Sequence, residues 1–339
     1  MSEALAAPLV ARCGGCDAEL GPGLLSCPAC HRLVHALELK RLAVAAERAE
    51  GAGDLATART QWRQAHDLLP PATRQAQSVL DRIAAVNRRL EAQPGGDPGA
   101  TAHHPAWVKA LGPVGVALFF LVTKGKLLLL GLTKAGTLLS MLATFGVFWT
   151  AWGWRFAMGL VVSIYVHEMG HVAALRHYGI AASAPMFLPG VGAFVRMKQR
   201  PADPVEDARV GLAGPIWGLF AAAFCYGVFL LTGSPIWAAI ARTGAWINLF
   251  NLLPLGTLDG GRGFAALSAA QRLGIALIVG MAWGFTRDGL LALVGLAAAF
   301  RALVGAQTER ADGRTFVEFA GLVIALSALI LIQVPVGLP

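Results

Sequence analysis

Residues 156–175 read FAMGLVVSIYVHEMGHVAAL, an apolar stretch about as long as a bilayer-spanning helix that nevertheless contains one acid, Glu168. A carboxylate inside an apolar span is energetically costly and usually marks a functional position. Asp259 stands out for the same reason, because it is the only acid between Asp207 and Asp288. The sequence therefore indicates a membrane helix that carries a functional centre, and a second buried acid that could join it.

The composition extends this interpretation to most of the chain. Of the 339 residues, 56% are hydrophobic and 14% are charged, whereas soluble domains carry about 25% charged residues. We expect an all-α polytopic membrane protein with about six to eight apolar segments. The apolar runs lie at about 111–123, 127–150, 152–175, 209–232, 236–256, 271–286, 289–305 and 315–336.

Basic residues beside these runs predict the orientation, since loops rich in Lys and Arg lie preferentially on the cytoplasmic side. The basic connections are 176–209, 259–272 and 301–314, and placing them in the cytoplasm alternates the spans from residue 127 onward. We expect an integral protein of a bacterial cell membrane whose N-terminal domain and active-site side are cytoplasmic. The net charge of +8 is then explained by these loops, and no nucleic-acid partner is expected.

Two CxxC pairs, Cys13-Gly-Gly-Cys16 and Cys27-Pro-Ala-Cys30, lie near the N-terminus. Each pair can place two thiolates on one ion, and the two pairs together complete a tetrahedral four-cysteine zinc site with no open position. Two disulfides are the alternative, which a reducing cytosol disfavours. We predict a structural zinc in a zinc ribbon over residues 1–37.

Residues 38–92 predict an α-helical region that resembles a tetratricopeptide-type (TPR) repeat. Residues 39–70 approximate its small, aromatic and proline positions, and Asp54 is placed to cap the second helix. A third amphipathic helix follows at about 72–92. The region serves either as a spacer or as a binding module for a protein partner. A Pro/Gly linker at 93–108 and a multi-span membrane domain at 109–339, with its core at about 125–265, complete the predicted organisation.

The motif His167-Glu168-Met-Gly-His171 places two imidazoles one helical turn apart on the same face. In zinc hydrolases such a pair holds the metal, and the glutamate takes a proton from zinc-activated water. The bare motif arises by chance in many proteins, but its position inside an otherwise acid-free span favours the functional interpretation. The alternative is a structural pair of buried histidines with a glutamate.

Such a site needs a third protein ligand, and the segment Asn251-Leu-Leu-Pro254-Leu-Gly256-Thr-Leu-Asp259 offers one. Asp259 lies at the cytoplasmic end of its apolar run, as the histidines do in theirs, so the ends can converge at similar depth. Pro254 and Gly256 break the helix and let the backbone turn toward the metal. The alternative is that Asp259 merely begins a cytosolic loop.

HExxH on one span and NxxPxxxxDG on a later one resemble the site-2 protease family of intramembrane zinc metalloproteases, over roughly residues 125–265. The resemblance implies a metalloendopeptidase whose catalytic zinc is held by His167, His171 and Asp259, with Glu168 as the base. It also makes Asn251 a candidate for holding substrate or the transition-state oxygen by a hydrogen bond.

One position departs from the family pattern. Members often carry an asparagine after the Gly-Pro pair, whereas Gly214-Pro215-Ile-Trp-Gly218 has glycine there. Either Asn248 compensates from the neighbouring span, as a polar contact to substrate or transition state, or Gly218 permits close helix packing.

A short hairpin is predicted in the basic loop, where Met186-Phe-Leu and Ala193-Phe-Val-Arg-Met flank Pro189-Gly-Val-Gly192. The resemblance implies that this small cytosolic β-hairpin borders the active site. An exposed edge there could hold an unwound substrate segment by strand addition. The alternative is an interfacial hairpin with only a packing role.

These features predict an enzyme that hydrolyses peptide bonds of membrane-embedded protein substrates near the cytosolic face, with a role in regulated intramembrane proteolysis. The expected partners are a substrate with a transmembrane segment, the lipid bilayer and a protein bound at the N-terminal repeat. Two zinc ions are expected, one catalytic and one structural. The main alternative is a catalytically idle membrane scaffold; a zinc transporter would need a second intramembrane ligand set, and the sequence offers none.

Overall fold

The computed structural model describes residues 11–71, 73–92, 135–190, 192–197, 199, 201–304 and 311–335. It divides into two compact units, Met1–Ala100 and Thr101–Pro339. The predicted linker at 93–108 and the first apolar run at 111–123 lie outside the described residues. The domain boundaries drawn from the sequence stay predictions.

The N-terminal unit begins with a two-stranded antiparallel sheet. Strands β1 (Ala11–Arg12) and β2 (Glu19–Leu20) pair Ala11 with Leu20. Three helices follow in the same unit: α1 (Ala36–Gly51), α2 (Leu55–Asp67) and α3 (Arg74–Ala92).

Helices α1 and α2 form a hairpin because each presents small and apolar residues on one face. Ala46 and Ala58 are fully buried, and the Trp62 indole Nε1 donates to Glu50 Oε1 at 2.7 Å. Asp54 caps α2 as predicted, accepting a hydrogen bond from the backbone N–H of Thr57. The hairpin is established, whereas its TPR-like character stays a prediction.

The described residues of the second unit form helices and one small sheet. Five of its described helices are long and apolar enough to cross a membrane; they are α4 (Ala135–Trp152), α5 (Trp154–His177), α6 (Pro204–Thr232), α9 (Ala269–Thr286) and α11 (Gly313–Ile330). Three shorter helices, α7 (Pro235–Asn251), α8 (Asp259–Ala265) and α10 (Gly289–Val304), complete the bundle. Their order follows the predicted apolar runs from 127 onward.

Helices α5 and α6 cross closely, and glycine makes this possible. A Cβ atom on Gly170 of α5 would lie 2.4 Å from the carbonyl oxygen of Ala213 on α6. Packing at small residues lets helix backbones approach in an apolar environment. This crossing brings the middle of α6 against the turn of α5 that carries the histidines.

A buried arginine fastens α6 to the last helix. Arg209 is 8% exposed, and its guanidinium is 3.0 Å from Asp312 and 3.1 Å from Glu318. The sequence indicates Arg209 only as a basic loop residue that sets orientation. The structure shows that it also pairs with carboxylates across the bundle, which compensates the cost of burying its charge.

The small sheet consists of β3 (Met186–Leu188) and β4 (Gly192–Phe194), which pair antiparallel with Met186 opposite Phe194. One edge of β3 is occupied by α4. The backbone N–H of Phe187 donates to Ser140 Oγ at 3.2 Å, and Thr137 Oγ1 donates to the carbonyl of Pro185 at 2.9 Å. The predicted hairpin therefore forms, but along β3 its outer edge contacts a helix.

Candidate metal centre

Three predicted ligands meet in the second unit, His167 and His171 from α5 and Asp259 from α8. The Nε2 atoms of His167 and His171 are 3.2 Å apart. Asp259 places Oδ2 3.2 Å from His167 Nε2 and Oδ1 3.3 Å from His171 Nε2. All three side chains are buried or nearly so. Two imidazole nitrogens from one helix and a carboxylate from more than 80 residues further along the chain thus face one point.

These distances fit a zinc ion. Donors held about 2.0–2.1 Å from a tetrahedral zinc lie about 3.3 Å from one another, which matches the spacings found here. Three protein donors leave one tetrahedral position open, and an open position distinguishes catalytic zinc sites from closed structural ones. The residues present therefore suit a catalytic zinc.

Backbone and side-chain acceptors orient both imidazoles. His171 Nδ1 lies 2.8 Å from the carbonyl oxygen of Val210, and His167 Nδ1 lies 2.8 Å from Asn248 Oδ1. A carbonyl only accepts, so Nδ1 of His171 carries the proton and its Nε2 presents a lone pair to the metal. Pro215 lacks the backbone N–H that would otherwise bond the carbonyl of Gly211, the residue after Val210 in α6.

Gly214 provides the room for the metal ligands. A Cβ atom at this position would lie 2.3 Å from His171 Nε2 and 2.8 Å from His167 Nε2. The sequence shows Gly214 as part of a Gly-Pro pair but does not reveal that it touches the donor atoms. That contact follows from the close crossing of α5 and α6.

Asp259 is brought to the histidines by the broken helix that the sequence predicted. Helix α7 ends at Asn251, the chain turns through Pro254 and Gly256, and α8 begins at Asp259 itself. A Cβ atom on Gly260 would lie 2.0 Å from the carbonyl oxygen of Leu252. The glycine after Asp259 therefore lets α8 fold back against the end of α7.

An ion pair holds α8 against α6. The Arg262 guanidinium contacts Asp207 Oδ1 through Nη2 at 2.7 Å and through Nε at 2.9 Å. Arg262 lies one helical turn after Asp259, so this pair fixes the helix that carries the third ligand. Sequence reasoning used Arg262 only to orient the protein, and no local signal linked it to Asp207.

Glu168 is 5% exposed and interacts electrostatically with both histidines and with Asp259. Within the described ranges, no donor is hydrogen-bonded to its carboxylate. A buried carboxylate beside the ligands matches the position expected of a general base.

The two asparagines are placed differently. Asn251 Nδ2 lies 3.4 Å from His167 Nε2, on the metal-facing side of the imidazole, where a polar contact to a reacting group was predicted. Asn248 lies on the opposite side, against His167 Nδ1. Its oxygen faces the imidazole, and its contact to substrate stays a prediction.

The four cysteines of the N-terminal unit form a second candidate metal centre. Cys13 Sγ lies 3.6 Å from Cys30 Sγ, and Cys16 Sγ lies 3.6 Å from Cys27 Sγ. Sulfurs held about 2.3 Å from a tetrahedral zinc lie about 3.8 Å apart. The cluster therefore fits a closed, structural zinc site, and these cysteines are not joined as disulfides.

The two halves of the cluster share one backbone geometry. The N–H of Asp17 donates to the carbonyl of Cys13, and the N–H of His31 donates to that of Cys27, both at 2.9 Å. Asp17 and His31 both adopt a left-handed φ of 59°. Hydrogen bonds from the backbone N–H groups of Gly15 and Cys16 lower the pKa of Cys13 to about 6, which favours the thiolate that binds metal.

An apolar cavity of about 660 Å³ lies between α5, α6 and α7 and does not include the metal ligands. Met158, Val162 and Val166 line it from α5, and Phe220 and Ile240 line it from the two neighbouring helices. Its lining includes one thiol, Cys225, but neither of the two donor clusters of the described residues, so we place the chemistry at the His167, His171 and Asp259 centre.

The fold and this centre define a multi-helix membrane protein with an open, three-donor metal site. Comparisons with known proteins agree with that class. Residues 155–234, which include both histidines, match Peptidase family M50. A zinc metalloprotease from Methanocaldococcus jannaschii is 29% identical over 113 residues, covering 30% of this chain.

The aligned segment spans 31% of that relative, just under a third of its length. No solved structure gives a significant match. The two matches support a metalloprotease related to family M50, which contains the site-2 proteases.

Proposed function

We propose that this protein is an intramembrane zinc metalloendopeptidase that hydrolyses peptide bonds of membrane-embedded protein substrates near the cytosolic face. The observation that carries the proposal is the convergence of His167, His171 and Asp259 at 3.2–3.3 Å inside an apolar bundle. Buried histidines and a carboxylate at membrane depth are costly unless they serve a function. The similarity to metalloproteases over residues 155–234 supports the same proposal.

Each residue of the centre has a distinct task in this proposal. His167, His171 and Asp259 hold the zinc ion, which acts as a Lewis acid and activates water when bound. Glu168 accepts the proton of the attacking water and passes it to the leaving amine. Asn251 donates a hydrogen bond toward the reacting carbonyl oxygen. Burial of the centre keeps bulk water away from these groups.

The substrate is a protein with a transmembrane segment, and the activity serves regulated intramembrane proteolysis in a bacterial cell membrane. The basic loops beside the centre support a cytoplasmic active-site face. A helical substrate has to unwind before its peptide bonds are accessible, and the β3–β4 hairpin lies on the same side of the bundle. Because α4 takes one edge of β3, an unwound segment would pair with β4 or displace α4.

The N-terminal unit holds one structural zinc and serves as a binding module for a protein partner. On α1, Leu37 and Val44 are 87% and 46% exposed, and their seven-residue spacing puts them on one face. These two side chains offer apolar contacts to such a partner.

Glu168→Gln tests the proposed chemistry, because it removes the base while keeping nearly the same volume. We expect cleavage of single-span reporter proteins, co-reconstituted with the purified enzyme in liposomes, to fall by about 10²–10⁴-fold. The zinc content should equal that of the wild type. Glu38→Gln, the same exchange at an exposed position of α1, is the matched control.

Equal cleavage of the reporters by zinc-loaded wild type and Glu168→Gln would refute the protease assignment. Cleavage that does not depend on Glu168 would not arise from this centre, and the catalytically idle scaffold would then be favoured.

A further inference from the structure

Asn248 is 2% exposed and has both ends of its amide engaged by the protein. Its Nδ2 donates to the backbone carbonyl of Gly244 at 2.7 Å, and its Oδ1 lies 2.8 Å from His167 Nδ1. The Gly244 carbonyl can only accept, so the NH₂ group must face it and the oxygen must face the imidazole. The orientation of the amide is therefore fixed by the chain itself.

This orientation determines which nitrogen of His167 carries the proton. An amide oxygen accepts, so Nδ1 must donate, and Nε2 is left with a lone pair directed at the point shared with His171 and Asp259. Asn248 thereby selects the metal-binding tautomer of His167, as hydrogen-bond partners behind metal-binding histidines commonly do. Val210 performs the same task for His171 with a backbone carbonyl.

Gly218 on α6 makes room for this amide. A Cβ atom at Gly218 would lie 2.0 Å from Asn248 Oδ1, 2.4 Å from its Nδ2 and 2.5 Å from its Cγ. Any side chain at this position therefore enters the space that the Asn248 amide occupies. Gly218 and Asn248 are complementary in size, because the Asn248 side chain of α7 fills the space left by the absent side chain at Gly218 of α6.

The same geometry indicates that the two positions can exchange roles. The Cβ of Gly218→Asn would lie 2.0 Å from an oxygen that is itself 2.8 Å from His167 Nδ1. A side-chain amide attached at that Cβ therefore reaches the same nitrogen, provided that Asn248 has been shortened. Either helix could supply the acceptor, but both cannot do so together.

We propose that Asn248 is a positioning residue that sets the tautomer of His167 for metal binding, and that Gly218 is its obligatory partner, so that one position holds an amide and the other holds glycine. The proposal concerns assembly of the zinc site and rests on the proposed metal function. It does not depend on which substrate is cleaved.

Metal affinity of the full-length protein in detergent micelles tests this proposal. We expect Asn248→Ala to weaken zinc binding at the histidine site by about 10–100-fold, the range found when outer partners of metal ligands are removed. Gly218→Asn alone should weaken binding to a similar extent, because the added side chain collides with Asn248. The double variant Gly218→Asn/Asn248→Gly should recover most of the affinity.

Two readouts separate the metal site from folding and from activity. Zinc affinity is measured by competition with a chelator. The d–d bands of the Co²⁺-substituted protein report ligand geometry. The two metal sites are told apart because only the four-cysteine site adds a thiolate charge-transfer band. The thermal unfolding midpoint is recorded for each variant. A purely structural role would lower the midpoint and leave the affinity and spectrum of the folded protein unchanged.

If folded Asn248→Ala keeps the zinc affinity and the d–d spectrum of the wild type, the positioning role of Asn248 is wrong. If the folded double variant binds zinc no better than the single variants, the two positions cannot exchange roles. Wild-type protein that takes no zinc or cobalt at the histidine site would instead refute the proposed function.

Discussion

Gly214 shows how a single missing side chain can determine whether a metal site exists. Its α-carbon faces the two nitrogens that would bind the ion, and a Cβ atom would lie only 2.3 Å from His171 Nε2. A methyl group cannot be accommodated at that distance unless a ligand or α6 moves. The glycine is therefore required by the donor atoms themselves, in addition to helix packing.

Gly214→Ala should reduce zinc affinity of the histidine site by at least about tenfold, the low end of the loss seen when the surroundings of metal ligands are disturbed, and activity should fall with it. Chelator competition on the purified protein measures this loss. Gly321→Ala on α11 is the matched control, because its Cβ would meet no atom within 4 Å. Wild-type affinity in Gly214→Ala would show that α5 and α6 can separate enough to accept a methyl group, and that the donor atoms do not require glycine.

At the scale of elements, α8 is a seven-residue helix that carries the candidate ligand Asp259 at its first position. So short a helix has little stability of its own, and its position depends on what holds it. Gly260 packs against the end of α7, and Arg262 pairs with Asp207 on α6. The helix that carries Asp259, the third candidate ligand, is thus held from two sides.

Arg262→Gln should loosen α8 and lower zinc affinity, by up to about tenfold if the pair acts as an outer support of Asp259. Asp207→Asn should produce a similar loss, and the double variant should lose less than the sum, because both single changes break the same pair. The wild type and these three variants form a double-mutant cycle measured by chelator competition. Arg41→Gln, which breaks an exposed pair with Glu38 in the other unit, is the control; strictly additive losses would contradict the coupling.

Much of the centre could be predicted because each candidate ligand stands out within its own stretch of sequence. His167 and His171 share a helix face, and Asp259 is conspicuous as a lone acid in a long apolar region. The break at Pro254 and Gly256 indicated how the chain could turn toward the metal. The structure brings these three residues together as expected, while their roles in catalysis stay a proposal.

The supporting contacts could not be predicted, because they depend on how helices pack. Asn248 and Gly218 each stand out in the sequence, but only the crossing of α6 and α7 shows that one fills the space left by the other. The carbonyl of Val210 has no sequence signal beyond the nearby Pro215. Likewise, the hydrogen bonds of α4 to β3 arise from tertiary contacts between polar residues that look ordinary in sequence.

At the scale of the whole molecule, the chain carries two candidate metal centres of different chemistry in separate compact units. Four thiolates close the first, whereas two imidazoles and one carboxylate leave the second open. The two centres should therefore bind zinc independently of each other.

The wild-type protein should contain about two zinc ions per chain, one for each set of donors. Cys16→Ser/Cys30→Ser and His167→Ala/His171→Ala should each lose one ion, and the combination should lose both. Elemental analysis of purified protein measures these contents. Cys225→Ser is the control, because Cys225 of α6 is buried among apolar residues of α5, α6 and α7. Loss of both ions on changing either centre would show that the units depend on each other.

Glu168 and Asp259 bring two carboxyl groups into one buried centre, which has a consequence for charge balance in the membrane. With both imidazoles neutral and protonated at Nδ1, and with both carboxyl groups ionised when a metal is bound, the two carboxylates would cancel the charge of one divalent cation. A filled centre is then electrically neutral, which avoids the desolvation cost of a net charge in an apolar medium. The helices thus enclose a site whose electroneutrality calls for a doubly charged ion.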